Sequence, residues 1–323
     1  MQGKDMPEPS AATRVYVGID VCKAWLDVYV HPLGHAFRVS NDLVGLRVLK
    51  KRLVPPDVAL IVMEATGKYH RHAQRTLHAA GFEVAIVNPL RSRLFAEALG
   101  ALAKTDKIDA RLLAIMGQSL EPRVLPPSSL ALEELQEIVR ARHTATAELT
   151  ALTNRLSEIK SAFLKTELKR QAKSLTARIE RLKAEIVKRI KSETALLRRY
   201  QILLSIPGIG PVAGATLLVE LGELGQVSKK AIALLAGLAP LADESGNKKG
   251  VRRIRGGRAL ARLALYMPAV AAIRYDAGFK AFYQRLLTAS KKPKQALTAV
   301  MRKLLVLANA LIREDRLWEP VHA

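Results

Sequence analysis

Apolar positions fall into short runs over the first third of the chain and into long helical stripes over the rest. Val15-Tyr16-Val17-Gly18-Ile19-Asp20 is a short run rich in β-branched residues. Residues 25–30 alternate apolar and polar, and Ala36-Phe37-Arg38-Val39-Ser40 follows a turn at Pro32 and Gly34,. The connections are too short for crossover helices, so these three strands are expected to form an antiparallel meander. Asn41 or Asp42 is placed to cap a helix reaching Leu53, with Leu43, Leu46 and Leu49 on one face and Pro55-Pro56 as its stop,. Ala59-Leu60-Ile61-Val62-Met63-Glu64 is a continuous apolar run closed by an acid, the pattern of a strand buried on both faces,. The spacing then predicts a helix over about 69–80, a strand over 83–87, a helix over about 89–99 and another over 106–120,.

Three antiparallel strands, helix, strand, helix, strand, helices is the element order of the RNase H-like (RuvC-like) fold. A doubly wound flavodoxin-type sheet would need a helix after the first strand, and there is no room for one. The expected first domain is therefore an α/β unit over 14–125, preceded by a loose tail at 1–13. Glu121-Pro122 through Pro126-Pro127-Ser128-Ser129 is a proline-rich break,. Residues 130–199 contain neither proline nor glycine. Leu149, Leu152, Leu156, Ile159 and Phe163, then Leu175, Ile179, Leu182, Ile186 and Ile190, step by three and four with Lys, Arg and Glu between,. That predicts a pair of long helices over 126–199, either an antiparallel hairpin or an intermolecular coiled coil, with a tip near 166–173 where the pattern lapses. A third, mostly helical domain over 200–323 opens with Leu203-Leu204-Ser205-Ile206-Pro207-Gly208-Ile209-Gly210-Pro211 and an apolar helix over 212–221.

Composition narrows the partners. The chain has 323 residues with 52 Lys and Arg against 29 Asp and Glu, a formal net charge of +23. Such an excess favours a polyanion, nucleic acid above all. It is also uneven: residues 248–303 hold 15 Lys and Arg and one acid, Asp276,. Cys22 is the sole cysteine, which excludes an internal disulfide framework and a CxxC zinc site,. No apolar run reaches the ~18 residues needed to span a membrane, and the polar stretch 1–12 lacks the apolar segment of a secretion signal. The expectation is a cytoplasmic protein that handles DNA or RNA.

Four acids stand out by position. Asp20 ends the first strand and Glu64 the fourth, strands that the expected fold makes neighbours about 4.8 Å apart,. Asp106 and Asp109 are spaced i, i+3, so one helix face carries both,. Taken singly, each reads as a solvated surface acid, and the later pair as first-turn helix acids favoured by the macrodipole. Together they would repel unless divalent cations bridged them, and two Mg²⁺ ions ~3.5–4 Å apart can clamp the attacking and leaving oxygens of a phosphodiester. Lys104 and Lys107 flank the pair, suited to a nearby nucleic-acid backbone.

Gly18-Ile19-Asp20, Met63-Glu64-Ala65-Thr66-Gly67 and Lys104-Thr105-Asp106-Lys107-Ile108-Asp109-Ala110 resemble the DEDD motifs of insertion-sequence transposases with a RuvC-like N-terminal domain. The C-terminal half resembles that family's second domain, so the likeness covers nearly the whole chain in order. It implies that Asp20, Glu64, Asp106 and Asp109 hold Mg²⁺, and that a C-terminal serine attacks DNA to form a phosphoserine intermediate. It further implies a guide ("bridge") RNA that directs recombination between donor and target DNA, and a homo-oligomer, dimer or tetramer. The family's serine lies in a Ser-Gly element after a Gly-Leu-x-Pro segment. Gly237-Leu238-Ala239-Pro240 followed by Asp243-Glu244-Ser245-Gly246 makes Ser245 the matching position. Without the likeness Ser245 reads as an ordinary turn residue. No histidine is close to it in sequence, so activation would come from the acids of the other domain, a composite site.

Two further elements suit nucleic acid. Ile206-Pro207-Gly208-Ile209-Gly210 between apolar helices resembles the hairpin of helix-hairpin-helix modules, with Gly208 and Gly210 letting backbone amides approach a phosphate,. The competing reading is a tight turn between packed helices. Lys248, Lys249, Arg252, Arg253, Arg255 and Arg258 form the densest basic run, expected as a glycine-rich loop that grips phosphates,. Such contacts position without reading sequence, and no base-reading motif is evident, which fits recognition delegated to RNA pairing. Two alternatives remain at this stage: a junction-resolving nuclease in which metal-activated water cuts the strand, and a non-enzymatic nucleic-acid-binding protein.

Overall fold

A computed structural model describes residues 14–100, 106–241, 244–245, 248–249 and 253–320, without side chains at 56, 106–108, 244–245 and 248–249. The expected tail, Lys104 and Arg252 lie outside the described residues. The chain forms two compact units, 1–128 and 129–323.

The first unit is built on a five-stranded sheet. β1 (Val15–Val21), β2 (Trp25–His31) and β3 (His35–Ser40) form the antiparallel meander, and β4 (Val58–Glu64) and β5 (Val84–Val87) add in parallel to the other edge of β1. The spatial order is β3-β2-β1-β4-β5. Asp42 caps α1 (Leu43–Arg52) by accepting from the Gly45 amide at 2.8 Å, as the Asn41/Asp42 reading anticipates. α2 (His70–Ala79) follows β4, and α3 (Pro89–Ala98) follows β5. Asn88 caps α3 through Leu90. α4 is Asp106–Leu120.

Alternation along the strands sorts the two faces. Val17, Ile19, Val28, Ile61 and Met63 are buried with Leu46 and Leu49 of α1 and Ala73 and Leu77 of α2. The opposite residues Leu60, Val62, Ala85 and Val87 are buried with Leu113 and Met116 of α4. α4 lies close on this face because Gly18 presents no side chain there. A methyl at Gly18 would fall 1.9 Å from the Ala110 carbonyl oxygen and 2.5 Å from the Ala114 nitrogen. One at Gly117 would meet Val62 and Tyr16 side-chain atoms at 2.9 and 3.4 Å. Passing from Ala110 to Gly117, α4 therefore moves from the level of Gly18 back to that of Tyr16. It runs antiparallel to β1, and its first turn stands at the carboxyl end of that strand.

The second unit is helical around one core. α5 (Leu130–Glu158) and α6 (Ala162–Ser192) pack against each other, joined at 159–161. This corrects the expected tip at 166–173, which lies inside α6. Ser161 caps α6 by accepting from the Leu164 amide, and the stretch beyond it is exposed. The apolar period lapses there because the residues face solvent, and the helix continues through them. α7 (Thr194–Ser205), α8 (Pro211–Glu220) and α9 (Lys229–Leu235) follow.

The basic run, expected as a loop, is partly strand. β6 (Pro240–Leu241) pairs with β9 (Arg253–Ile254), and β7 (Glu244–Ser245) pairs with β8 (Lys248–Lys249), each antiparallel. α10 (Ala259–Ala264), α11 (Tyr266–Tyr275), α12 (Ala277–Thr288) and α13 (Pro293–Arg313) close the unit. Among the described residues α13 is the one helix long and apolar enough, by length and composition, to cross a membrane. Arg302-Lys303 interrupts its apolar run and hides its length from a run count. Ala296, Val300, Leu304, Leu305, Ala308 and Leu311 of α13 are buried in the second unit's core.

Candidate active site

The register of the sheet sets the first two acids side by side. Gly18 pairs with Val62 and Ile19 with Met63 in the parallel β1–β4 ladder, so Asp20 and Glu64 are the next residues on two adjoining strands. Tyr16, Gly18 and Asp20 share one face of β1, as Leu60, Val62 and Glu64 share one face of β4. Both acids thus stand on the face that α4 covers, at the end of the sheet where α4 begins. Each is half-buried. Ser92 of α3 donates its hydroxyl to Glu64 Oε2 at 2.7 Å, which fixes that carboxylate's orientation. Asp106 is the first residue of α4, four before Ala110, and Asp109 precedes the buried Leu113 by the same interval.

The row extends further than the motif. Asp27 is paired with Asp20 in the β1–β2 ladder, and Arg38 with Asp27 in the β2–β3 ladder. Arg38 Nε and Nη2 each lie 2.8 Å from an Asp27 carboxylate oxygen, a bidentate pair. Sequence reasoning missed Ser92, Asp27 and Arg38. An acid inside an otherwise apolar β2 was the available signal for Asp27. Nothing in the sequence marks Ser92, because only the fold carries α3 past the end of β4.

The all-oxygen donor set of Asp20 and Glu64 suits a hard divalent cation. Among the described residues no group of three or more His, Cys, Asp or Glu side chains is gathered to hold a metal. The Asp106 side chain lies outside the described residues.

In the second unit the candidate residues separate into different situations. Ser245 is paired with Lys248, and Glu244 with Lys249, so Ser245 is the last strand residue before two intervening residues. Arg253 and Arg255 are exposed. Arg258 differs from these: its guanidinium makes two 2.6 Å bonds to the Glu223 carboxylate and one to the Glu220 carbonyl. These donors serve the interior of the unit. Burial works to lower its pKa, but the Glu223 hydrogen bonds and the Glu223 and Glu220 charges outweigh that and raise it. Gly208 has φ +85°, and a methyl there would fall 2.3 Å from the Pro268 carbonyl oxygen of α11. Helix contact alone requires glycine at that position. Gly210 is exposed and caps α8, with open space where its side chain would be.

Comparison with known proteins settles the family. Residues 17–165 match a DEDD transposase model of the IS110 type, and residues 200–284 match the model described as "Transposase IS116/IS110/IS902 family". The chain is 31% identical over 316 residues to the pilin gene-inverting protein of Moraxella bovis, covering 94% of this chain and 97% of the relative. It is 24% identical over 293 residues to a probable family 20 transposase of Pseudomonas aeruginosa, covering 77% and 82%. It is also 35% identical over 127 residues to an uncharacterised 42 kDa protein of insertion element IS900 from Mycobacterium paratuberculosis, covering 38% and 32%. With both halves matched in order and a near full-length relative above 30% identity, the chain belongs to the IS110-type transposase family, DNA-rearranging enzymes.

Proposed function

We propose that this transposase is an RNA-guided DNA recombinase of an insertion sequence, using a Mg²⁺-dependent acid site and a covalent phosphoserine intermediate. On this reading the first unit is an RNase H-like (RuvC-like) domain. Asp20, Glu64, Asp106 and Asp109 would hold two Mg²⁺ ions, which supply neutralisation of the charge that develops on the phosphodiester oxygens. The observation that supports the reading is that Asp20 and Glu64 stand on one face of adjoining strands, at the end of the sheet where α4 begins. The inversion of a DNA segment named for the Moraxella relative is the same class of rearrangement.

Ser245 Oγ attacks a backbone phosphorus, forming a serine–phosphate ester as the bond to one sugar oxygen breaks. The serine proton passes to a carboxylate or water, and the departing sugar oxygen leaves as a hydroxyl after protonation. A sugar hydroxyl from another strand then attacks the same phosphorus, restoring the phosphodiester and the free serine. The count of phosphate esters is unchanged, so no external energy source is needed. Lys104, Lys107, Lys248, Lys249, Arg252, Arg253, Arg255 and the backbone at Gly208 and Gly210 hold nucleic-acid phosphates. Donor and target DNA are the substrates, a guide RNA selects them, two or four protomers assemble on them, and the site of action is the prokaryotic nucleoid in the cytoplasm.

Denaturing gels of a stopped reaction test the chemistry. Protein attached to a DNA strand is expected, and Ser245→Ala is expected to abolish both adduct and recombination. Cutting that persists in Ser245→Ala without an adduct would establish water as the nucleophile. Asp106→Asn with recombination intact would exclude the acid site. Sequencing RNA that copurifies with the chain tests guidance, and random cellular RNA alone would leave a protein-only recombinase.

A further inference from the structure

At one level of the sheet the edge strand β3 and its successive neighbours β2, β1 and β4 carry Arg38, Asp27, Asp20 and Glu64 in that order, all on the α4 face. The Asp27 side chain is 12% exposed and that of Arg38 48%. A carboxylate as buried as Asp27 needs its partner. The pair nonetheless sits next to the acid on which the chemistry is expected to turn. With adjoining strands about 4.8 Å apart, Arg38 is roughly 10 Å from Asp20 across the ladder. With Arg38 the row carries three negative charges and one positive. Without it, three carboxylates would stand in line.

We propose that Arg38, acting through Asp27, is a positioning residue for the acid site: the pair sets the charge beside Asp20 and so how tightly the site holds a divalent cation. The proposal rests on the reading of Asp20 and Glu64 as cation ligands. A doubly charged ion roughly 10 Å from a unit charge that is added or removed, in a water-like dielectric, changes its affinity about four-fold, and at one strand spacing about twenty-fold. The sign follows from the row. Removing Arg38 leaves Asp27 uncompensated and tightens cation binding. Removing the Asp27 charge leaves Arg38 facing Asp20 and weakens it. Removing both restores the net charge but takes away the nearer, negative group, so binding lies between that of the original chain and that of the Asp27 variant.

The test is a Mn²⁺ titration of the full chain without nucleic acid, read from loss of the free-ion EPR signal. Relative to the unsubstituted chain, Kd is expected to fall about four-fold in Arg38→Gln and to rise more steeply, up to about twenty-fold, in Asp27→Asn. In the Asp27→Asn/Arg38→Gln double variant it should lie between the original value and that of Asp27→Asn, and in Arg38→Lys it should stay at the original value. A purely structural ion pair would lower stability in both single variants and move both affinities the same way or not at all. Should Arg38→Gln fail to fold, the order of Asp27→Asn against the double variant still decides. Binding that Asp20→Asn abolishes, with Kd equal across the Arg38 and Asp27 series, overturns the role of the pair and leaves the cation site standing. Absence of Mn²⁺ binding in the unsubstituted chain overturns both.

Discussion

At Gly18 the absence of a side chain sets the distance between β1 and α4, and through it the distance between Asp20 and the acids of α4. The atoms that a methyl would strike, Ala110 O at 1.9 Å and Ala114 N at 2.5 Å, are backbone, so no rotamer change makes room. Gly18→Ala is expected to destabilise the first unit by about 1–3 kcal/mol, seen as a lower urea midpoint in far-UV circular dichroism. Recombination measured where the variant is still folded should fall by more than that loss explains, because α4 is displaced from Asp20. A variant with the original midpoint and activity would show that the helix is not held at this contact. Arg258 gives the converse case, a basic residue in a basic run whose hydrogen bonds are internal. Arg258→Ala is expected to cost about 1–3 kcal/mol, the loss of a partly exposed bidentate pair, with DNA affinity of the folded protein unchanged. Arg255→Ala at an exposed position should leave stability alone and weaken binding to every DNA sequence alike. Equal loss of DNA affinity in both variants would return Arg258 to the phosphate contacts.

At the scale of elements, sequence and structure agree where the signal is local. The alternation in β1 and β2, the acid-terminated run of β4 and the Asp42 cap each depend on neighbours a few residues away, and each is in place. Two features were illegible for physical reasons. The α5–α6 turn is set by the Ser161 cap, while the apolar period fails later, where the helix pair is exposed. The partners of the acid row depend on strand register, which no single strand encodes: Arg38 and Asp27 become neighbours of Asp20 only once the meander is paired. The base of the helix pair carries a pH response of its own. His143 of α5 lies 3.3 Å from the Thr216 hydroxyl of α8, which itself donates to the Val212 carbonyl, so the imidazole donates from Nε2. Burial holds the His143 pKa below 6.5, the Arg142 charge adds to the lowering, and Glu220 opposes it. The folded state therefore prefers neutral imidazole while the unfolded chain takes up a proton near 6.5. The stability is complete above that pH and declines as pH falls through it. Thermal midpoints of the second unit between pH 7 and 5 should drop further in the original chain than in His143→Gln; parallel curves would remove His143 from the account.

Across the whole molecule the charge is divided as unequally as the chemistry. Residues 1–128 hold 17 Lys and Arg against 12 Asp and Glu, a net +5, whereas residues 129–323 hold 35 against 17, a net +18. The first unit carries the acids expected to hold cations, and a strongly positive surface there would compete with them. The second carries the exposed Arg253 and Arg255 and the ladder that holds Ser245. Affinity and acid chemistry are thus assigned to different units, each with its own core. Each phosphate neutralised contributes about −0.9 to the slope of log K against log salt on duplex DNA. A fragment of residues 129–323 is accordingly expected to keep most of the full chain's DNA affinity and most of its salt slope. A fragment of residues 1–128 should bind DNA weakly with a shallow slope, and neither fragment should recombine DNA alone. Filter binding across a salt series separates the two contributions. If residues 1–128 reproduced the affinity and slope of the full chain, the positive charge of the second unit would serve solubility, and DNA capture would have to be reassigned to the sheet and its helices.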